Sequence, residues 1–331
     1  MEALLAAELP EGDGWQFEPK WDGFRCLAKR DGAEVTLTSK SGKPLARYFP
    51  EVVEMLAGLK AKRFVVDGEL IIPIGDVLSF DALQLRLHPA ETRIRKLAKE
   101  TPAEIMAFDL LELDGKSLAA EPLAKRRKAL AQFFRKNSAP GLHLSPATTD
   151  RETALGWLKR SGGALDGVIA KRTDLEYRPG ERAMIKVKQQ RTADCVVGGF
   201  RYAEKKKEVG SLLLGLYDHE GLLHHVGFTS AIAAADRPAL TKKLEKLIEP
   251  PGFTGDAPGG PSRWNNERTT QWQPLKPVLV VEVRYDQVTG RRFRHGTGFL
   301  RWRPDKDPKQ CTFDQLAPEL RPSELKELFG Q

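Results

Sequence analysis

Near residue 191 the sequence changes character, and that change restricts the fold more than any other feature. Before it, strand-like and helix-like segments alternate. Gly23–Lys29 and Glu34–Thr38 read as a hairpin turned by Asp31-Gly32, and apolar, β-branched and aromatic residues mark Phe64–Ile72, Ile105–Leu113, Gly167–Lys171 and Met184–Lys188 as strands. Phe49–Leu59, Leu123–Lys136 and Arg151–Arg160 have apolar residues at helical spacing, with Asp150 as N-cap of the last. This is an α+β domain. After residue 191 come the short strands Asp194–Tyr202, Leu212–Tyr217, Leu222–Phe228 and Val278–Tyr285, separated by Gly- and charge-rich turns and interrupted by one helix, Arg237–Ile248. A small closed or nearly closed all-β barrel accounts for that spacing. The Pro- and Gly-rich stretch Pro250–Pro261 reads as a loop that holds no core residue.

The 331 residues fit two domains, at roughly 100–200 residues each. No apolar run is long enough to span a membrane, and acids stand where a secretory signal needs a basic start. Cys26, Cys195 and Cys311 are odd in number and lack CxxC spacing, which suggests neither a disulfide framework nor a zinc site. The expectation is a cytoplasmic protein. A formal charge of +8 and a pI near 9.3 invite nucleic acid or phosphate as partner, and no basic tail carries the excess.

The most informative stretch is Glu18-Pro19-Lys20-Trp21-Asp22-Gly23-Phe24-Arg25. Taken alone, it is a lysine in a turn between two strands, and a solvated charge cluster explains it. The sharper reading is a nucleophile: a lysine amine attacks only when deprotonated, and nearby cations or a metal favour that form. Five further clusters bear on the choice. Asp67-Gly68-Glu69 closes an apolar strand, where a type II turn is the plain alternative. Phe108 is core by default, yet a purine also stacks on such an aromatic. Asp166–Lys171 and Lys186-Val187-Lys188 place charges on strands, and Lys186 and Lys188 share a face, where a bound polyanion would relieve their repulsion. Arg301-Trp302-Arg303-Pro304-Asp305-Lys306 is a dense cation cluster in the second domain.

In this order and spacing the set resembles the covalent nucleotidyltransferase superfamily of ATP-dependent DNA ligases, RNA ligases and mRNA capping enzymes. EPKWDGFRC and FRHGTGFLRWRPDKDP are most similar to the small bacterial ATP-dependent DNA ligases of the LigC type. The resemblance implies an α+β nucleotidyltransferase (adenylation) domain over residues 1–190, with ATP-grasp-like antiparallel sheets and helices, then an all-β OB-fold barrel over 191–331. It implies that Lys20 attacks the α-phosphate of ATP and carries AMP to the 5′-phosphate of a nick in duplex DNA, which the 3′-hydroxyl then seals. Glu18 would meet the adenine amino group and Phe108 the base; Arg25 and Glu69 would hold the ribose. Lys40 stands at the second motif. Arg182, Lys186 and Lys188 would grip the α-phosphate, and Arg303 and Lys306 would orient the pyrophosphate. Glu69 and Asp166 would bind Mg²⁺ or Mn²⁺.

Three positions depart from the family pattern. Lys40 replaces the arginine of SRxG, losing its bidentate fork; Asp166 is a methylene shorter than the usual glutamate; and Met184-Ile185 stand where an aromatic commonly precedes the paired lysines. Arg284, Arg291, Arg292, Arg294 and Arg301 are expected to track DNA phosphates. The protein is expected to be a monomer that acts in DNA repair. An RNA ligase or capping-type nucleotidyltransferase is the alternative within the superfamily, and a catalytically silent nucleic-acid binder the alternative outside it.

Overall fold

The computed structural model describes residues 1–75, 77–159, 165–189, 191–204, 206–259, 271–286, 288–294 and 296–316. Arg160, the last residues of the Pro250–Pro261 loop and His295 of the C-terminal motif lie outside them. The chain divides into two compact units, one within Met1–Gln189 and one within Gln190–Pro318.

The first unit contains two sheets. The smaller has four strands in the order Ala3–Ala6, Met184–Val187, Leu165–Arg172, Trp15–Trp21. Its outward face, with Phe17, Val168, Ala170 and Val187, packs on Ala154 and Trp157 of the helix Arg151–Lys159. Asp150 caps that helix as expected, its Oδ2 accepting from Thr153 N–H at 2.8 Å. The larger sheet runs Leu142–Leu144, Glu104–Leu113, Arg63–Ile71, Phe24–Asp31, Glu34–Ser39. Helices Pro50–Gly58 and Leu123–Lys136 bury Val52, Leu56, Leu130 and Phe133 with it in one core. Most pairings are antiparallel, but Ala3–Ala6 and Leu142–Leu144 pair in parallel.

One expectation fails here. Lys20 is not in a turn but inside the strand Trp15–Trp21. The segment lacks a clean alternation because Glu18 is buried and ion-paired, so its polarity hid a strand position from the pattern. Asp67-Gly68-Glu69, by contrast, lies within the strand Arg63–Ile71 as the Phe64–Ile72 reading expected, and not in the alternative turn. Gly68 belongs there because an added Cβ would stand 2.8 Å from the Met106 carbonyl oxygen.

The second unit holds an antiparallel sheet in the order Leu223–Thr229, Lys206–Tyr217, Arg191–Ala203, Val280–Tyr285, Gly298–Trp302, with Gln273–Pro274 against the central strand. Helix Arg237–Glu245 packs through Leu244 on its core. The Pro250–Pro261 stretch departs from expectation: Phe253 is buried in that core, edge-on to His225 and against Trp272. Gly198 and Gly215 leave the space its ring occupies, since an added Cβ would reach the ring at 2.6 Å and 3.0 Å respectively. Composition marked the loop, but its one aromatic is fitted by glycines distant in sequence. All three cysteines are buried and free. No helix among the described residues is long and apolar enough to cross a membrane.

Candidate nucleotidyl-transfer site

A cavity of about 270 Å³ in the first unit is lined by both sheets. Glu18, Lys20, Ile169, Lys171 and Lys186 come from the smaller sheet, and Arg25, Lys40, Glu69 and Phe108 from the larger one and its edge. Two β-bulges aim the principal side chains. Leu165 pairs with Trp21 and Val168 with Pro19, so Asp166 and Gly167 together face the single residue Lys20. That bulge brings Asp166 Oδ2 to 2.5 Å from Lys20 Nζ, while Oδ1 takes Lys188 Nζ at 3.0 Å. In the other sheet Asp67 pairs with Asp109 and Gly68 with Ala107, leaving Phe108 as the extra residue and turning its ring to the cavity.

Electrostatics follow from this crowding. Burial alone would raise the Asp166 carboxyl, but Lys20 and Lys188 hold it below the usual carboxylate range. Burial, with the charges of Lys20 and Lys188, holds the Lys186 ammonium below the usual lysine range. Glu69 is half-buried at the cavity wall, and burial pushes its carboxyl up to about 8 against the attraction of Lys20 and Arg25. Arg25 stands opposite Glu69 across the strand pair and forks onto Asp67, Nε to Oδ1 at 3.1 Å and Nη2 to Oδ2 at 2.7 Å. The Tyr177 hydroxyl donates to the same Oδ2 at 2.8 Å, and Arg25 Nη1 donates to the Met1 carbonyl.

Glu18 is ionically fixed: Oε2 meets Lys171 Nζ at 2.7 Å and Oε1 accepts from Gln16 at 2.7 Å. Each oxygen keeps a lone pair for a further donor. Lys171 Nζ also lies 4.6 Å from the Phe108 centroid. Lys40, beyond the edge strand, pairs with Glu2 at 3.2 Å, and Arg182 is exposed nearby, where its charge reaches Glu2. Sequence reasoning assigned no role to Lys171, Asp67 or Tyr177; the signal for Lys171 was its in-phase position, two residues from Ile169 on the cavity side of the strand.

In the second unit Arg303 Nη1 meets both oxygens of Asp194, at 2.9 and 3.0 Å, and Lys306 approaches the same carboxylate at 3.7 Å. The arginines of the 284–301 window have different partners. Arg284 and Arg301 lie on one sheet face, Arg301 paired with Glu282 at 2.6 Å. Arg291 covers Phe313, its guanidinium carbon 4.5 Å from the ring centre, and Arg292 Nη2 donates to His225 Nδ1 at 3.0 Å. Arg294 is half-buried.

Mg²⁺ needs hard oxygen ligands and is commonly held by one or two carboxylates plus substrate phosphates and waters. Glu69 and Asp166 fit that partial role; no group of three or more candidate ligands occurs among the described residues.

A lysine amine set beside a carboxylate, an aromatic platform and a cationic rim defines a site suited to nucleotidyl transfer. Residues 5–188 match the family described as ATP dependent DNA ligase domain, and residues 205–306 its C-terminal region. The chain belongs to the ATP-dependent DNA ligase family. It is 48% identical to DNA ligase C2 of Mycolicibacterium smegmatis over 92% of this chain and 90% of that one. It is 31% identical to the multifunctional non-homologous end joining DNA repair protein LigD of Mycobacterium tuberculosis, over 94% of this chain and 37% of that one. A solved Lig E DNA ligase structure shares the fold, with a TM-score of 0.54 and 20% identity over 92% of this chain and all of its own. As a family member the chain is a DNA ligase that uses ATP.

Proposed function

We propose that this ligase seals 5′-phosphate/3′-hydroxyl nicks in duplex DNA with Lys20 as its nucleophile, in DNA repair. The observation that carries the reading is Lys20 opposite the Asp166 bulge at a cavity that also presents Phe108 and Glu18. The Lys20 amine, after losing its proton, forms a P–N bond to the α-phosphorus of ATP as the bond to the β-phosphate oxygen breaks and pyrophosphate leaves. A 5′-phosphate oxygen then takes the AMP and frees the lysine. The nick's 3′-hydroxyl attacks the phosphorus of that 5′-phosphate, loses its proton and expels AMP.

Glu18 accepts from the adenine amino group through the lone pairs that Gln16 and Lys171 leave free, which favours adenine over guanine. Phe108 stacks on the base, and Arg25 and Glu69 hold the ribose. Lys40, Arg182, Lys186 and Lys188 neutralise phosphate charge, and Arg303 and Lys306 assist the leaving pyrophosphate. Glu69 and Asp166 would hold Mg²⁺, which would supply charge neutralisation at the phosphates. The second unit is read as an OB-fold: besides its antiparallel sheet, one bridge joins Thr229 of an edge strand to Thr297, next to the other edge. Its arginines contact DNA, and the protein works as a monomer.

Intact-mass measurement after incubation with ATP and Mg²⁺ tests the nucleophile. One added AMP is expected on the wild type and none on Lys20→Ala; AMP retained by that variant rejects the assignment. Sealing of a labelled nicked DNA duplex, run beside its RNA and hybrid equivalents, tests the substrate. Preference for the RNA nick rejects the DNA reading.

A further inference from the structure

Asp194 was not among the residues the sequence singled out, yet it is the anchor of the Arg303–Lys306 cluster. It stands on the strand Arg191–Ala203 directly opposite Glu282, which in turn stands opposite Arg301. Opposed residues share a sheet face, so Asp194 and Glu282 set two like charges side by side, offset by Arg303 and Arg301 respectively. The Asp194 backbone is fixed from both sides by one amide: its N–H donates to Gln315 Oε1 at 2.9 Å, and Gln315 Nε2 donates to its carbonyl at 3.1 Å. The carboxylate this pins is only 12% exposed, and both cations of the RPDK turn share it. Asp305, which takes the other edge of the Arg303 guanidinium at 2.8–3.2 Å, is 62% exposed and belongs to the same turn, so it moves with Arg303 rather than anchoring it.

Long arginine and lysine side chains lose rotamer freedom when they grip a ligand. A buried, backbone-clamped carboxylate that already aligns both removes part of that loss. We propose that Asp194 is a positioning residue for the first chemical step, holding Arg303 and Lys306 in the orientation they use on the departing pyrophosphate. The inference rests on the role given above to those two cations.

Two reactions separate the possibilities: single-turnover formation of lysyl-AMP from ATP, and sealing of a nick already adenylylated on its 5′-phosphate, which releases no pyrophosphate. Asp194→Asn keeps the size but not the charge. It is expected to lose roughly tenfold or more in the maximal rate of lysyl-AMP formation, the scale of a misplaced catalytic group, and to seal the pre-adenylylated nick at the wild-type rate. Asp194→Glu should recover part of the loss, and Asp194→Ala should add little to the defect of Arg303→Ala. Equal loss in both reactions means a merely structural role and overturns the proposal. So does wild-type adenylylation by Asp194→Asn when Arg303→Ala is impaired. If Arg303→Ala itself adenylylates normally, the role of the arginine falls, and the positioning role falls with it for that separate reason.

Discussion

Asp166 is the residue through which the charges of the site are coupled. Its two oxygens pair with Lys20 and Lys188, so the same carboxylate would have to be shared between these lysines and a bound metal. Removing its charge is expected to slow lysyl-AMP formation by roughly 10–100-fold, the scale of losing a group that supports a catalytic centre from its outer shell. Asp166→Glu should stay near the wild-type rate, because the added methylene can be absorbed at a bulge. Rapid-quench assays of both variants check this, and a silent Asp166→Asn would remove the residue from the mechanism. A second residue carries a pH effect. Burial, aided by the charges of Arg292 and Arg201, pushes the His225 imidazole down to about 3. An unfolded histidine binds a proton below about 6.5, whereas this one stays neutral until about 3, so the unfolded state gains the proton and stability falls on acidification between those values. The slope contributed is at most about 1.4 kcal/mol per pH unit. His225→Asn, which keeps an acceptor for Arg292, should flatten that part of a urea-unfolding series; an unchanged slope would show that the histidine does not titrate this way.

At the scale of elements, two bulges place Lys20, Asp166 and Phe108, and neither was legible in the sequence. Apolar periodicity located four strands of the larger sheet and the helix Leu123–Lys136, but not the short edge strand Leu142–Leu144. It could not find the strand under Lys20, where Gln16 and Glu18 are buried polar residues satisfied by each other and by Lys171. The residue types of the site were legible as ordered motifs; the partners that fix them, Asp67, Tyr177 and Asp194, were not, since they come from strands and turns remote in sequence. Gly167 makes the bulge possible. Its φ is +134°, and an added Cβ would stand 2.1 Å from the Val187 carbonyl oxygen. Gly167→Ala is therefore expected to push the strand Met184–Val187 away, costing about 1–3 kcal/mol of stability. Because Asp166 moves with the bulge, lysyl-AMP formation should fall as well at a temperature where the variant is folded. Thermal melts paired with adenylylation rates test both halves, and a variant stable and active as wild type would mean that the bulge relaxes freely.

For the whole molecule, the net charge of +8 says less about DNA than the pairing of individual cations does. Arg301 faces Glu282, and Arg303 and Lys306 face Asp194, so these cations are already neutralised in part. Arg291 and Arg292 differ: both are exposed, one lies on the Phe313 ring and the other donates to a neutral histidine, and neither arrangement cancels charge. They are therefore the stronger candidates for phosphate contacts. Each such contact releases close to one counterion, and losing it should flatten the dependence of log affinity on log salt by roughly 0.9 on B-form DNA. Arg291→Ala and Arg292→Ala should each show that change for a nicked duplex, while Arg301→Ala should show less, because its phosphate contact has first to displace Glu282. Binding measured over a salt series orders the three. If Arg301→Ala flattens the slope as much as the other two, ion pairing in the free protein does not predict which arginines reach DNA, and the Arg301–Glu282 pair would have to open on binding.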